Sequence, residues 1–110
     1  MADISLQRKN MVESQVRPSD VTDRRITAAM QEIARESFVP ANTGTLAYMD
    51  EALPLGGGRA MMAPRTLARL LQLANVEASD TVLVVGAPTG YSAAVLAGMA
   101  ARVVALESDA

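Results

Sequence analysis

Neither cysteine nor histidine occurs anywhere in the 110-residue sequence. The first absence excludes disulfides and thiolate metal sites; the second removes the commonest metal ligand and the commonest general base near neutral pH. A zinc hydrolase or a Ser-His-Asp hydrolase is therefore excluded for this chain. Long apolar runs are missing too. The longest, Ala93 to Ala101, is interrupted by Gly98 and is too short to span a bilayer, and the stretch from Met1 to Asn10 has no continuous apolar region of the kind a signal peptide needs. These features predict a soluble, cytoplasmic protein. Charge of one sign is not in excess: the formal net charge is −2, with acidic and basic residues interspersed. Without a broad basic face, the predicted partners are small molecules or proteins, and neither nucleic acid nor a membrane.

Half of the residues are apolar, enough for one small folded domain with a single core. Ile4, Met11, Val12 and Val16 recur on one face of a predicted first helix, which Pro18 should end. Ser19, Asp20 and Thr22 offer N-cap oxygens to a second helix. Its apolar face is Ile26, Ala29, Met30 and Ile33, with Arg24, Arg25, Gln31, Glu32 and Arg35 largely opposite. From Val39 to Arg59 periodicity is lost and Pro40, Asn42, Gly44, Pro54 and Gly56-Gly57-Gly58 accumulate, which reads as a long structured loop with a flexible end. Pro64 suits the first turn of a third helix carrying Leu67, Leu70, Leu71 and Ala74.

The period then changes. Thr81 to Val85 is a continuous β-branched and aliphatic run, followed by a Gly/Pro turn, an Ala-rich helix from about Tyr91 to Ala100, and a second run from Val103 to Leu106. This is one βαβ unit of a parallel sheet. Its first turn, Gly86 to Tyr91, lies where strand carboxyl ends meet a helix N-terminus, the usual place for a nucleotide-like ligand. A dinucleotide fingerprint GxGxxG fails at Pro88 and Tyr91, which disfavours a dehydrogenase. The methyltransferase tendency GxGxG is met at Gly86 and Gly90 and missed at Pro88, while Glu107 stands at the end of the second strand, where a carboxylate would hold ribose hydroxyls. The plainer alternative is that the glycines only make a tight turn and Glu107 is a solvated strand end.

Three stretches, Met11 to Val16 with the following helix to Phe38-Val39-Pro40, then Tyr48 to Leu55, then Val85-Gly86 through Thr89-Gly90-Tyr91-Ser92-Ala93 to Ala97, resemble in content and order the protein-L-isoaspartate O-methyltransferase family. The resemblance implies an α/β fold in which N-terminal helices precede the start of a Rossmann-like S-adenosylmethionine-dependent methyltransferase sheet. Residues 1–62 would form the helical and substrate-loop region and 63–110 the beginning of the cofactor domain. It also implies methyl transfer from S-adenosylmethionine to the carboxylate of isoaspartyl residues in damaged proteins. A carboxylate attacking a sulfonium needs no histidine, only alignment and exclusion of water. Carried over by position, Gly86, Ala87, Thr89, Gly90 and Glu107 would face the cofactor. Arg59 and Met62 would lie in the catalytic loop, Met62 where the family has a hydroxyl residue.

Three departures accompany the match. Gly58 to Pro64 lacks the hydroxyls of the family's Gly-Gln-Thr-Ile-Ser-x-Pro, leaving Arg59 as a candidate carboxylate clamp and Met61 and Met62 as candidate fillers beneath the loop. Pro88 replaces the middle glycine, and Val84 stands where an acidic residue is common. The sequence supplies only the first part of the family's sheet, so adenine contacts and much of the cleft would lie beyond Ala110. A small sheet with open faces and edges predicts marginal stability or self-association into a homo-oligomer. The competing expectation is a methyltransferase-like module without catalysis, serving in protein interaction or assembly.

Overall fold

The computed structural model describes residues 4–40, 46–86 and 89–107. Helix α1 (Ile4–Met11) runs into a π-helical turn at Val12–Val16 and a 3-10 turn at Arg17–Ser19. Pro18 is therefore accommodated inside a tightened final turn, with Asp20 in the left-handed conformation closing it (φ 65°). Helix α2 (Arg24–Glu32) starts at Asp23, whose carboxylate accepts the Arg25 N–H at 2.9 Å. Ser19, Asp20 and Thr22 thus do not cap it. Gln72 explains why: its Oε1 accepts the N–H groups of Thr22 (2.7 Å) and Asp23 (3.0 Å), and its amide donates to the Asp20 carbonyl (2.8 Å). A side chain fifty positions away thereby fixes the entry to α2.

Ile26 and Met30 are fully enclosed, each burial contributing about 1.5–3 kcal/mol relative to exposure. After α2, a 3-10 turn at Arg35–Phe38 reverses the facing of Arg35. Helical spacing sets it among the solvent-facing residues, but the helix ends at Glu32 and Arg35 is only 1% exposed.

The expected loop contains a hairpin. Strands β1 (Leu53–Gly56) and β2 (Arg59–Met61) pair antiparallel, and the turn between them has Gly57 and Gly58 at φ 63° and 75°. Successive positive φ values match the twist of a tight hairpin and require glycine there. Helix α3 (Pro64–Ala74) follows, with Pro64 at its first position and Asn75 closing it in the left-handed region. It presses Leu67, Ala68 and Leu71 into the core.

Strands β3 (Thr81–Val85) and β4 (Arg102–Leu106) are parallel and joined by α4 (Tyr91–Ala97), the βαβ unit expected from the sequence. Val82 pairs with Val103 and Val84 with Ala105, and Val82, Val84 and Val103 pack against the core. The alternate positions point away: Leu83, Val85, Val104 and Leu106 are 40–70% exposed. One apolar cluster, containing Val16, Ile26, Met30, Leu67, Tyr91 and Val95, joins the helical half to the βαβ unit. Among the described residues, no helix is long and apolar enough to cross a membrane, and no His/Cys/Asp/Glu group could hold a metal ion.

Candidate functional site

A cleft of about 80 Å³ opens between the end of the hairpin and the turn that follows β3. Ala60, Met61 and Met62 form one wall, Gly86, Thr89, Gly90, Tyr91 and Ser92 the other, and Leu67 contributes from α3. Of the residues singled out in the sequence, Met62, Gly86, Thr89 and Gly90 line this cleft together. Ala87, like Pro88, lies outside the described residues. The two methionines differ in burial: Met61, the last residue of β2, is buried, whereas Met62 is 41% exposed.

The glycines keep their wall open. Gly86 and Gly90 have φ of 73° and 80°, a region that costs side-chain-bearing residues dearly. A Cβ at Gly90 would meet nothing within 4 Å, and one at Gly86 would come only to 3.8 Å from Arg59 Nη2. The Gly86 N–H continues the sheet ladder to the Leu106 carbonyl at 2.8 Å, so its amide is held in place by β4. Gly90 caps α4, its carbonyl accepting the Ala94 N–H at 2.9 Å.

Arg59 and Glu107, expected to serve substrate and cofactor separately, meet each other. Arg59 Nη1 is 2.7 Å from Glu107 Oε2, with both side chains partly covered. The pair bridges β2 to the end of β4 beside Gly86. The ion pair orients the strand-end carboxylate toward β2. Val84 turns to the core side of β3, so the position where an acidic side chain was expected is filled by apolar packing.

Behind the cleft lies a polar cluster that spacing alone does not reveal. Arg35 donates from Nε to the Ala47 carbonyl (2.6 Å) and from Nη2 to the Met62 carbonyl (2.9 Å), and its guanidinium lies 4.7 Å from the centre of the Tyr91 ring. Phe38 meets the same ring edge-on at 5.7 Å. Burial pushes the Arg35 pKa down and that of the Tyr91 hydroxyl up, each partly offset by the other. The Tyr48 hydroxyl donates to Glu36 Oε1 and accepts from Arg8 Nε (3.0 Å) and from the Arg35 N–H (3.1 Å). Burial alone would raise the Glu36 carboxyl. Hydrogen bonds from Tyr48, its own backbone and Arg8 outweigh that and hold it below the usual carboxylate range. Asp50, two residues after Tyr48, pairs with Arg65 of α3 at 3.2 Å.

Phe38, Tyr48 and Tyr91 come from the three separate stretches on which the family resemblance rests, and here they surround one buried arginine. Residues 6–108 match the protein-L-isoaspartate(D-aspartate) O-methyltransferase family. The chain belongs to this family. Among its relatives, a protein-L-isoaspartate O-methyltransferase of Methanoculleus marisnigri is 41% identical over 92% of this chain and 46% of its own length. One of Koribacter versatilis is 40% identical over 96% of this chain and 48% of its own. A solved protein-L-isoaspartate O-methyltransferase structure superposes with a TM-score of 0.76 at 25% identity, covering 93% of this chain and 34% of that one. The α/β architecture, helices first and then the opening of a Rossmann-like methyltransferase sheet, is therefore that of the isoaspartate methyltransferases. The chain spans about half the length of the curated relatives it matches.

The sequence did not point to Arg35, Leu67 or Tyr48 as supports of the site, although Tyr91 and Ser92 lay within the Thr-Gly-Tyr-Ser motif already noted.

Proposed function

We propose that this chain contributes the substrate-loop and first cofactor-binding elements of a cytoplasmic enzyme that methylates isoaspartyl carboxylates in proteins, using S-adenosylmethionine. The observation that carries the reading is the cleft itself: the hairpin end and the glycine turn after β3 face each other across it, and the Arg59–Glu107 pair lies beside Gly86.

The residues suit the cofactor in kind. Open space above Gly90 and the uncrowded approach at Gly86 allow a ligand to lie against backbone. Thr89 adds a hydroxyl, and Glu107 an acceptor for ribose hydroxyls; Ala87 is proposed alongside them by position. When bound, S-adenosylmethionine supplies an electrophilic methyl group on a sulfonium. The protein's task is then to hold a carboxylate opposite that group and to keep water out. Met61 and Leu67 provide the dry floor, and Met62 covers the wall where relatives carry a hydroxyl. Arg59 lies beside Gly86 of the glycine turn, placed to share its charge between Glu107 and an incoming carboxylate. In this division, residues 1–62 serve the substrate side and 63–110 the cofactor side.

Calorimetric titration of S-adenosylmethionine, followed by methylation of an isoaspartyl peptide, tests the reading. Binding is expected, weakened about tenfold by Glu107→Ala, the equivalent of one charge-assisted hydrogen bond. Absence of binding would remove the cofactor role of the cleft. Unchanged affinity in the Glu107 variant would remove the ribose contact while leaving the rest.

A further inference from the structure

We infer that Arg35 is a positioning residue of the cleft, a buried cation that sets the spacing between the cleft's two walls. Its consequence for ligand binding rests on the function proposed above; its structural content does not.

At 1% exposure, Arg35 cannot touch a ligand in the cleft, so it acts through what it holds. One arm holds the substrate-side wall: Nη2 donates to the Met62 carbonyl at 2.9 Å. The flat face of the guanidinium holds the cofactor-side wall, lying 4.7 Å from the ring centre of Tyr91, the first residue of α4. Nε anchors the group to the Ala47 carbonyl at 2.6 Å, and the Arg35 N–H is fixed on the Tyr48 hydroxyl at 3.1 Å. Only arginine combines in-plane donors with a stacking face; lysine offers a point charge on a flexible stem.

The energetics point the same way. Among the described residues no carboxylate pairs with Arg35, and its buried Nη1 has no hydrogen-bond partner. A buried cation without an acid, and with one nitrogen unpartnered, is a poor device for stability, and well-packed apolar residues do that work better. What the guanidinium supplies that an apolar residue could not is a fixed geometric relation between Met62 and Tyr91.

Hydrogen–deuterium exchange and S-adenosylmethionine titration on the protein and its Arg35→Lys variant test this. Faster exchange is expected locally, at residues 60–63 and 90–92, with α2 and β3 keeping their protection. Affinity for S-adenosylmethionine should fall by about tenfold or more, because small misplacements of positioning groups are costly. Unchanged exchange in both walls overturns the inference, and so does a uniform loss of protection across all elements, which would assign Arg35 to stability alone. If the unsubstituted protein binds no S-adenosylmethionine, the functional reading fails and the exchange pattern still decides the role of Arg35. Should Arg35→Lys not fold, Tyr91→Leu removes the stacked ring while leaving both carbonyl bonds; faster exchange at 60–63 is then expected, and unchanged exchange there overturns the inference.

Discussion

Around Tyr48, side chains from α1, the turn after α2 and the loop before the hairpin interlock through hydrogen bonds, and the polar groups of Arg8, Glu36 and Tyr48 satisfy one another. The β3-α4-β4 unit is built differently. Its sheet is held by backbone pairing and by apolar contact on one face, while Leu83, Val85, Val104 and Leu106 face outward on the other. The contrast teaches that long-range polar contacts fix where segments of the helical half sit, whereas the βαβ unit is fixed by period-2 alternation and the sheet ladder. The first kind of specification fails when one group is removed. The second tolerates changes on the face it leaves uncovered.

The largest effect should come from Tyr48→Phe. The ring is kept, but Glu36 and the Arg35 N–H lose their shared hydroxyl in a partly dry site, and urea unfolding should register a loss of about 1–3 kcal/mol. A loss near zero would mean that Arg8 and Glu36 re-pair without cost, and the contrast between the halves would weaken.

Acid provides a second, graded way to loosen the same half. Glu36 and Asp23 both have carboxyl pKa values lowered in the folded protein; Asp23 is held mainly by the Arg25 side chain. A depressed folded pKa contributes stability that is fully present above the unfolded value, roughly 4 for such groups. That contribution disappears as pH falls through the folded values. Urea midpoints measured from pH 6 downward should therefore decline below about pH 4.5, and Glu36→Gln should flatten the decline. An equal slope in the variant would assign the acid sensitivity to other carboxylates.

The smallest effect on stability is expected from Leu83→Ser on the open face of β3, within about 0.5 kcal/mol. Its sharper readout is sedimentation: contiguous exposed apolar side chains favour association, and the variant should shift the protein toward monomer. A large stability loss instead would show that this face is covered in solution by something that the folded monomer itself provides.

Much of the architecture was legible because it depends on local chemistry. The Pro64 start and apolar stripe of α3, the aliphatic runs of β3 and β4, and the Gly86 to Gly90 turn between them each lie within a few residues of the feature that specifies them. The β1-β2 hairpin was not read, since its strands are only four and three residues long and Pro54 interrupts the alternation. The paired glycines at 57 and 58 were its signal. The glycines of the turn after β3 could be named from position, yet the joining of Arg59 to Glu107 could not, because that contact requires the hairpin to be folded over the end of β4. Arg35 was misplaced for a related reason: helical periodicity describes a residue only while the helix continues.

The sequence by itself determined the kind of protein this is. Its ordered motifs assign it to the isoaspartate methyltransferases, and its 110 residues themselves supply neither a thiolate nor an imidazole. Backbone preference and apolar period act over a few residues, so they survive in one dimension. Only the tertiary structure decided that Phe38, Tyr48 and Tyr91 would gather around a buried Arg35, that Gln72 would govern the start of α2, and that of the two methionines on the cleft wall Met61 would be buried and Met62 exposed. Those outcomes depend on which distant groups are brought within hydrogen-bonding and packing distance, and such directional, short-range contacts form only after the apolar core has set the chain's path.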